Sequence, residues 1–146
     1  MASVSTYLNF MGNCEEAFNR YAEIFGTEPA TPLMRMGETP PMPGGPELSD
    51  EEQKLVMHVA LPTLAGHLIM GTDMVASMGH QLMVGNNVTI SLNPDTRAET
   101  DRLFAGLSEG GEDCMAPQDM FWGYWGTCQD RFGIRWMFNC EEPAAG

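Results

Sequence analysis

The sequence predicts an α+β protein made of two βαβββ modules, and three observations lead there. First, residues 6–26 (TYLNFMGNCEEAFNRYAEIFG) read as a short strand followed by a helix, and residues 89–111 (TISLNPDTRAETDRLFAGLSEGG) read the same way. A shift of 83 residues lays Thr6 on Thr89, Asn13 on Thr96, Glu16 on Glu99, Tyr21 on Phe104 and Ile24 on Leu107. Second, residues 66–70 (GHLIM) and 133–137 (GIRWM) both set a glycine four residues before a methionine in a strand-like run. Third, the remaining apolar stretches alternate with the period of a strand between turn-forming residues. A fold made of two copies is expected to place its active surface between them.

The first module starts with a strand at residues 6–10. Asn13 is placed as the cap of the following helix, with Glu16 reaching back to close a capping box. Ala17, Phe18, Tyr21, Ile24 and Phe25 recur at helical spacing and form one apolar stripe. Gly26 ends the helix as a left-handed cap. Residues 31–36 read as a short strand opened by prolines. Residues 37–50 (GETPPMPGGPELSD) form a Pro/Gly-rich loop that fits neither helix nor central strand and could lid a cavity. In residues 54–61 (KLVMHVAL), Leu55, Met57, Val59 and Leu61 are expected to face the helix, and Val56, His58 and Ala60 the other way. A turn at 62–66 and a strand at 67–73 complete the module.

The second module opens with clean alternation over residues 87–93, with Val88, Ile90 and Leu92 on one face and Asn87, Thr89, Ser91 and Asn93 on the other. Thr96 with Glu99 repeats the capping box. Leu103, Phe104 and Leu107 form the second helical stripe, and Gly110-Gly111 stops it. Strands are expected at 112–115, 121–129 and 134–140. In the last, Ile134, Trp136, Phe138 and Cys140 face the packing side, and Arg135, Met137 and Asn139 the opposite side. The whole reads as one domain over 1–146, with modules at about 4–74 and 87–142 and a Gly- and Met-rich linker at about 75–86. Helices on the outer face of each sheet leave the other faces free to curve around a cavity, as mixed sheets forming a cup.

Composition excludes several function classes. The net charge is −13, with one lysine (Lys54) and six arginines. A nucleic-acid partner would need a basic patch, so none is expected, and anionic membrane surfaces are disfavoured. The acidity reads as a self-repelling, soluble surface. No apolar run is long enough to span a bilayer, and the first residues lack a signal-peptide pattern. Cys14, Cys114, Cys128 and Cys140 form neither a CxxC pair nor a disulfide framework, which points to a reduced, cytoplasmic protein. They read as small buried hydrophobes, with Cys14 singled out because a helix start favours a thiolate. Thirteen methionines suit core packing and adaptable binding surfaces.

Residues 7–26 (YLNFMGNCEEAFNRYAEIFG) and 118–141 (QDMFWGYWGTCQDRFGIRWMFNCE) resemble the PhnB-like branch of the vicinal-oxygen-chelate superfamily. That superfamily includes glyoxalase I, extradiol dioxygenases and bleomycin-resistance proteins. The specific run is Asp130, Phe132, Gly133, Trp136 and Asn139, preceded by Phe121-Trp122-Gly123. Members of the branch often carry the label of a demethylubiquinone methyltransferase, but no Gly-rich nucleotide loop here supports cofactor methylation. The resemblance implies a homodimer. It also implies a metal held by four side chains, one from the first and one from the last strand of each module, usually His or Glu. Carried over within about one residue of register, those positions hold Thr6, Met70, Thr89 and Met137. Hydroxyls and thioethers are poor ligands for a hard divalent ion, so no metal and no other cofactor is expected.

The cup is expected to present His58, Trp125, Arg135 and Asn139 beside Met70, Met137 and Thr89. His58 could serve as a general base or a lone ligand, or be satisfied within a mixed-polarity interior. Arg135 could fork onto an anionic ligand, or pair with Asp119 or Asp130. Trp122 and Tyr124 are expected to point one way and Trp125 the other. His67 and His80 read as solvated. Three functions follow: a metal-free small-molecule binding protein, a metal-dependent lyase, isomerase or dioxygenase with a degenerate or shifted site, and a non-catalytic dimeric scaffold.

Overall fold

The computed structural model describes residues 1–145. The chain divides into two compact units, Met1–Met83 and the part from Val84 onward. The first holds β1 (Thr6–Phe10), α1 (Cys14–Phe25), β2 (Met34–Arg35), β3 (Val56–Pro62) and β4 (Leu68–Asp73). Its sheet runs β1-β4-β3-β2, with β1 and β4 parallel and the other pairs antiparallel. The second holds β5 (Ile90–Leu92), α2 (Arg97–Ser108), β6 (Glu112–Met120), β7 (Gly123–Gln129) and β8 (Arg135–Cys140). Its order, β5-β8-β7-β6, with β5 and β8 parallel, repeats the first. Two open, mixed, four-stranded sheets, each with one helix, are thus one βαβββ topology written twice. Among the described residues no helix is long and apolar enough to cross a membrane.

Each helix buries most of the stripe its spacing dictates, with Phe25 and Phe104 half-buried at its margin. In α1, Ala17, Phe18, Tyr21 and Ile24 are buried, as are Leu8, Phe10, Val59, Leu61 and Ile69 of the sheet. Gly71 lies on that helix-facing side. A Cβ there would stand 2.8 Å from Phe18 Cζ and 3.1 Å from Cys14 Sγ, so the helix seats only against a residue without a side chain. In the second unit, Leu103 and Leu107 of α2 are buried, together with Leu92, Cys128, Trp136 and Phe138. Gly26 caps α1 at φ +65, with its N–H bonded to Ala22 O, as its position after the stripe requires.

Several local expectations are corrected by contacts distant in sequence. Asn13 makes no side-chain cap. Instead Asp73 Oδ1, from the end of β4, accepts the N–H groups of Gly12 (2.9 Å) and Cys14 (3.0 Å), while Oδ2 accepts that of Val56 (2.9 Å). A carboxylate there satisfies orphan amides and complements the positive end of the helix. At α2, Thr96 Oγ1 does accept the Glu99 N–H (3.1 Å), but the Glu99 carboxylate pairs with Arg102 rather than returning to the cap.

The faces of β3 shift phase at its start. Met34 pairs with His58 and Arg35 with Val56, so Met57 is the extra residue of a bulge. Val59 and Leu61 are buried as alternation predicts, but the bulge also brings Val56 into the core and leaves Met57 half-buried. The regular part of β5 begins at Ile90, and Val88 is exposed rather than packed with it. β6 runs on to Met120, so Phe121 and Trp122 form a two-residue turn instead of starting β7. Asp130 secures the next turn by accepting from the N–H groups of Phe132 and Ile134 and from Trp136 Nε1 (2.8 Å).

Candidate functional site

The first unit contains a cleft of about 1010 Å³. Tyr7, Asn9 and Thr72 reach it from the sheet face opposite α1, Met57 and His58 from the bulged strand, and Met74, Met78 and His80 from the segment after β4. The Pro/Gly-rich loop supplies the facing wall through Thr39, Pro40, Pro41, Pro46 and Leu48, the lid role its composition suggested. Six methionines line the cleft: Met34, Met36, Met42, Met57, Met74 and Met78. A wall of unbranched thioether side chains can re-pack around ligands of differing shape.

Two imidazoles give this apolar cleft polar handles. His58 lies beside Tyr7, with ring centroids 5.9 Å apart and the phenol oxygen 3.4 Å from Nδ1, a long contact. Burial pushes the Tyr7 phenol above its usual range, so it stays protonated and able to donate. His80 was expected to be solvated in the linker. It is exposed, but it also lines the cleft, and the Val75 N–H donates to its Nδ1 (3.0 Å). The neutral ring therefore carries its proton on Nε2. No periodic pattern in the sequence marks His80, because a non-helical, non-strand segment brings it there. His67 is exposed and meets Thr6 Oγ1 through Nε2 at 3.0 Å. Met70 sits on the same sheet face as Tyr7 but does not line the cleft.

The open face of the second sheet gathers Ser91, Trp125, Thr127, Gln129, Arg135, Met137 and Asn139, since these residues pair laterally while Trp136 and Phe138 turn to the core. Arg135 pairs with neither Asp119 nor Asp130. Its Nη1 donates to Asp113 Oδ2 (2.9 Å) and Gln129 Oε1 (3.3 Å), because the irregular β6 presents Asp113 there and Arg97 holds Asp119. Arg135 Nε and Asn139 Oδ1 are buried without a partner. Tyr124 turns to the helix side and donates to Asp101 (2.6 Å). Trp122 does not follow it. Freed from strand alternation by the turn, its ring packs edge-on against Trp125 at 5.8 Å. Thr89 is exposed just before β5.

Register revises which residues occupy the positions where related folds hold a metal. Tyr7 stands beside Met70, and Ser91 beside Met137. Thr6 instead shares the helix-facing side of β1 with Leu8 and Phe10. The helices start 83 residues apart, at Cys14 and Arg97, but the strand pairing matches Leu8 to Leu92, so the strand–helix connections differ by one residue. A phenol, an alcohol and two thioethers do not fit a hard divalent ion. Among the described residues, no group of three or more His, Cys, Asp or Glu is placed to hold one. Nor is Cys14 an activated thiol. Burial, then the charges of Asp73 and Glu15, push its pKa far up, overriding the helix start.

Comparison with known proteins agrees with this topology. The model of the 3-demethylubiquinone-9 3-methyltransferase family matches residues 2–138. Protein YjdN of Escherichia coli K12 is 31% identical over 145 residues, covering 93% of each chain. Among solved structures, PA1353 from Pseudomonas aeruginosa is 32% identical with a TM-score of 0.82, over 98% of this chain and 100% of that one. A PhnB protein from Bacillus cereus is 22% identical with a TM-score of 0.71, over 95% and 99%. A glyoxylase/bleomycin resistance protein/dioxygenase domain from Frankia sp. EAN1pec, 13% identical with a TM-score of 0.59 over 97% of each chain, shares the fold. The chain belongs to the 3-demethylubiquinone-9 3-methyltransferase family.

Proposed function

We propose that the chain is a small-molecule-binding protein that works without a chelated metal, with the cleft of its first unit as a binding site. The observation that carries this reading is the lining itself: six methionines, with two imidazoles, a phenol and two amides among its polar groups, around about 1010 Å³. Sites for organic ligands combine a mostly apolar wall with a few convergent polar groups. The thioether and hydroxyl chemistry of the former ligand positions supports independence from a divalent ion. On the second sheet, Arg135, Asn139, Trp125, Met137 and Thr89 form a further candidate set, and the unpartnered Arg135 Nε and Asn139 Oδ1 favour a polar or anionic group there. In the first unit, His58 belongs to the cleft, and Met70 shares the sheet face of Tyr7 without lining it.

All three tryptophans lie in the second unit, so tryptophan quenching does not report on the cleft. The direct test labels the methionine methyl groups and screens a small-molecule library by NMR in the presence of a chelator. A ligand should shift several of the six cleft methyl signals and leave that of Met120 in place. A library that shifts none, or shifts that appear only on adding a divalent metal, would refute the proposal.

The proposal includes a homodimer in a reducing cytoplasm. Phe121 and Trp122, in the turn between β6 and β7, are exposed large apolar side chains, 97% in the case of Phe121, which supports a second copy docking on that turn. All four cysteines are free thiols, which supports the reducing setting.

A further inference from the structure

β6 departs from regular pairing where it crosses Cys128. Glu112 stands opposite Gln129 and Met115 opposite Thr127, so Asp113 and Cys114 together face Cys128. Asp113 has φ +52, the left-handed conformation of the first residue of a bulge. Cys114 is exposed and Cys128 is 0% exposed. The Cys114 thiol donates to Glu112 O (3.3 Å), and its sulfur is a neighbour of the Cys128 thiol. The bulge sets Cys114 across the ladder from Cys128, and the spacing of neighbouring strands, about 4.7–4.9 Å, lies inside the roughly 4.4–6.8 Å between Cα atoms that a disulfide spans.

We infer that Cys114 and Cys128 are a reversible redox pair, oxidised to an intrachain disulfide by a hydroperoxide. The exposed Cys114 thiolate attacks the peroxide O–O bond. That bond breaks, Cys114 gains the hydroxyl as a sulfenic acid, and the other oxygen takes a proton and leaves as water or an alcohol. The Cys128 sulfur then attacks the Cys114 sulfur. The S–O bond breaks, the departing hydroxide takes the Cys128 proton, and water leaves. Two thiols are oxidised, one peroxide is reduced, and a thiol reductant reverses the bond by exchange. The order of events follows from burial. It excludes Cys128 from solvent and, with the Cys114 sulfur and Asp130 nearby, pushes its thiol up to about 12. Cys128 therefore resolves and does not initiate. The bond would also fix the bulge that presents Asp113 to Arg135.

The test treats the full chain with a small excess of hydrogen peroxide, then applies intact mass and non-reduced peptide mapping. Wild type should lose two hydrogens, yield a peptide pair joining 114 to 128, stay free of interchain links and recover with dithiothreitol. Cys128→Ala should stop at a Cys114 sulfenic acid that dimedone traps. Cys114→Ser, an exposed change that leaves packing intact, should form no disulfide and leave Cys128 unoxidised. The proposal fails if wild-type Cys114 accumulates sulfenic or sulfinic acid, if it links only between chains, or if it does not react.

Discussion

Asp73 joins three backbone amides from two segments through one buried carboxylate, so its removal strands the buried donors of Cys14 and Val56 together with the part-buried one of Gly12. Asp73→Ala should cost about 3–5 kcal/mol, because each orphaned buried donor carries its own desolvation penalty. Asn13→Ala should stay within about 0.5 kcal/mol, as for an ordinary surface change. Urea midpoints for the two variants check this, and equal losses would return the cap to Asn13. The buried thiols carry a pH dependence. Cys14 and Cys128 ionise less readily when folded than the reference thiol at 9.0. A raised folded pKa gives stability that is whole below the unfolded value and is lost as pH climbs toward the folded one. Stability should therefore fall from about pH 9 upward, and less steeply in Cys128→Ala, as denaturant midpoints across that range would show.

At the scale of the strand, β8 separates two kinds of residue by alternation alone. Trp136 is 0% exposed with its Nε1 bonded to Asp130, whereas its neighbour Arg135 points to the open face and meets the exposed Asp113. Trp136→Ala should cost roughly 3–5 kcal/mol for the cavity it leaves. Arg135→Ala should cost less, about 1–2 kcal/mol, because its Asp113 partner is exposed even though the Arg135 side chain is largely covered. Thermal unfolding of the pair checks the assignment, and a reversed ranking would mean that the faces of β8 had been exchanged. This much was readable from the sequence, as were both helical stripes, because β8 and the helices are regular and their period fixes which side chains are buried. The start of β3 was not readable. Its bulge at Met57 is defined only by pairing with β2, and the inserted residue puts Val56 on the face opposite to the one alternation from Val59 and Leu61 assigns it.

At the scale of the whole chain, dimerisation can be tested apart from ligand binding. Sedimentation should return twice the 16.0 kDa chain mass, and Phe121→Ser should shift it toward the monomer without lowering the melting temperature of dilute protein. A monomer in the wild type would remove the homodimer from the proposal. The duplicated βαβββ order, the helix positions 83 residues apart and the lid-like loop were all legible in the amino-acid sequence, because short-range spacing, turn residues and apolar period are local properties of the chain. Folding alone decided that Asp73 caps α1, that Tyr7 and Ser91 stand beside Met70 and Met137, that His80 joins the cleft, and that the bulge holding Cys114 lies opposite Cys128. Each of these depends on strand register or on a contact across many residues. A one-residue change in register moves a side chain to the opposite face while leaving the local pattern of the sequence almost unaltered.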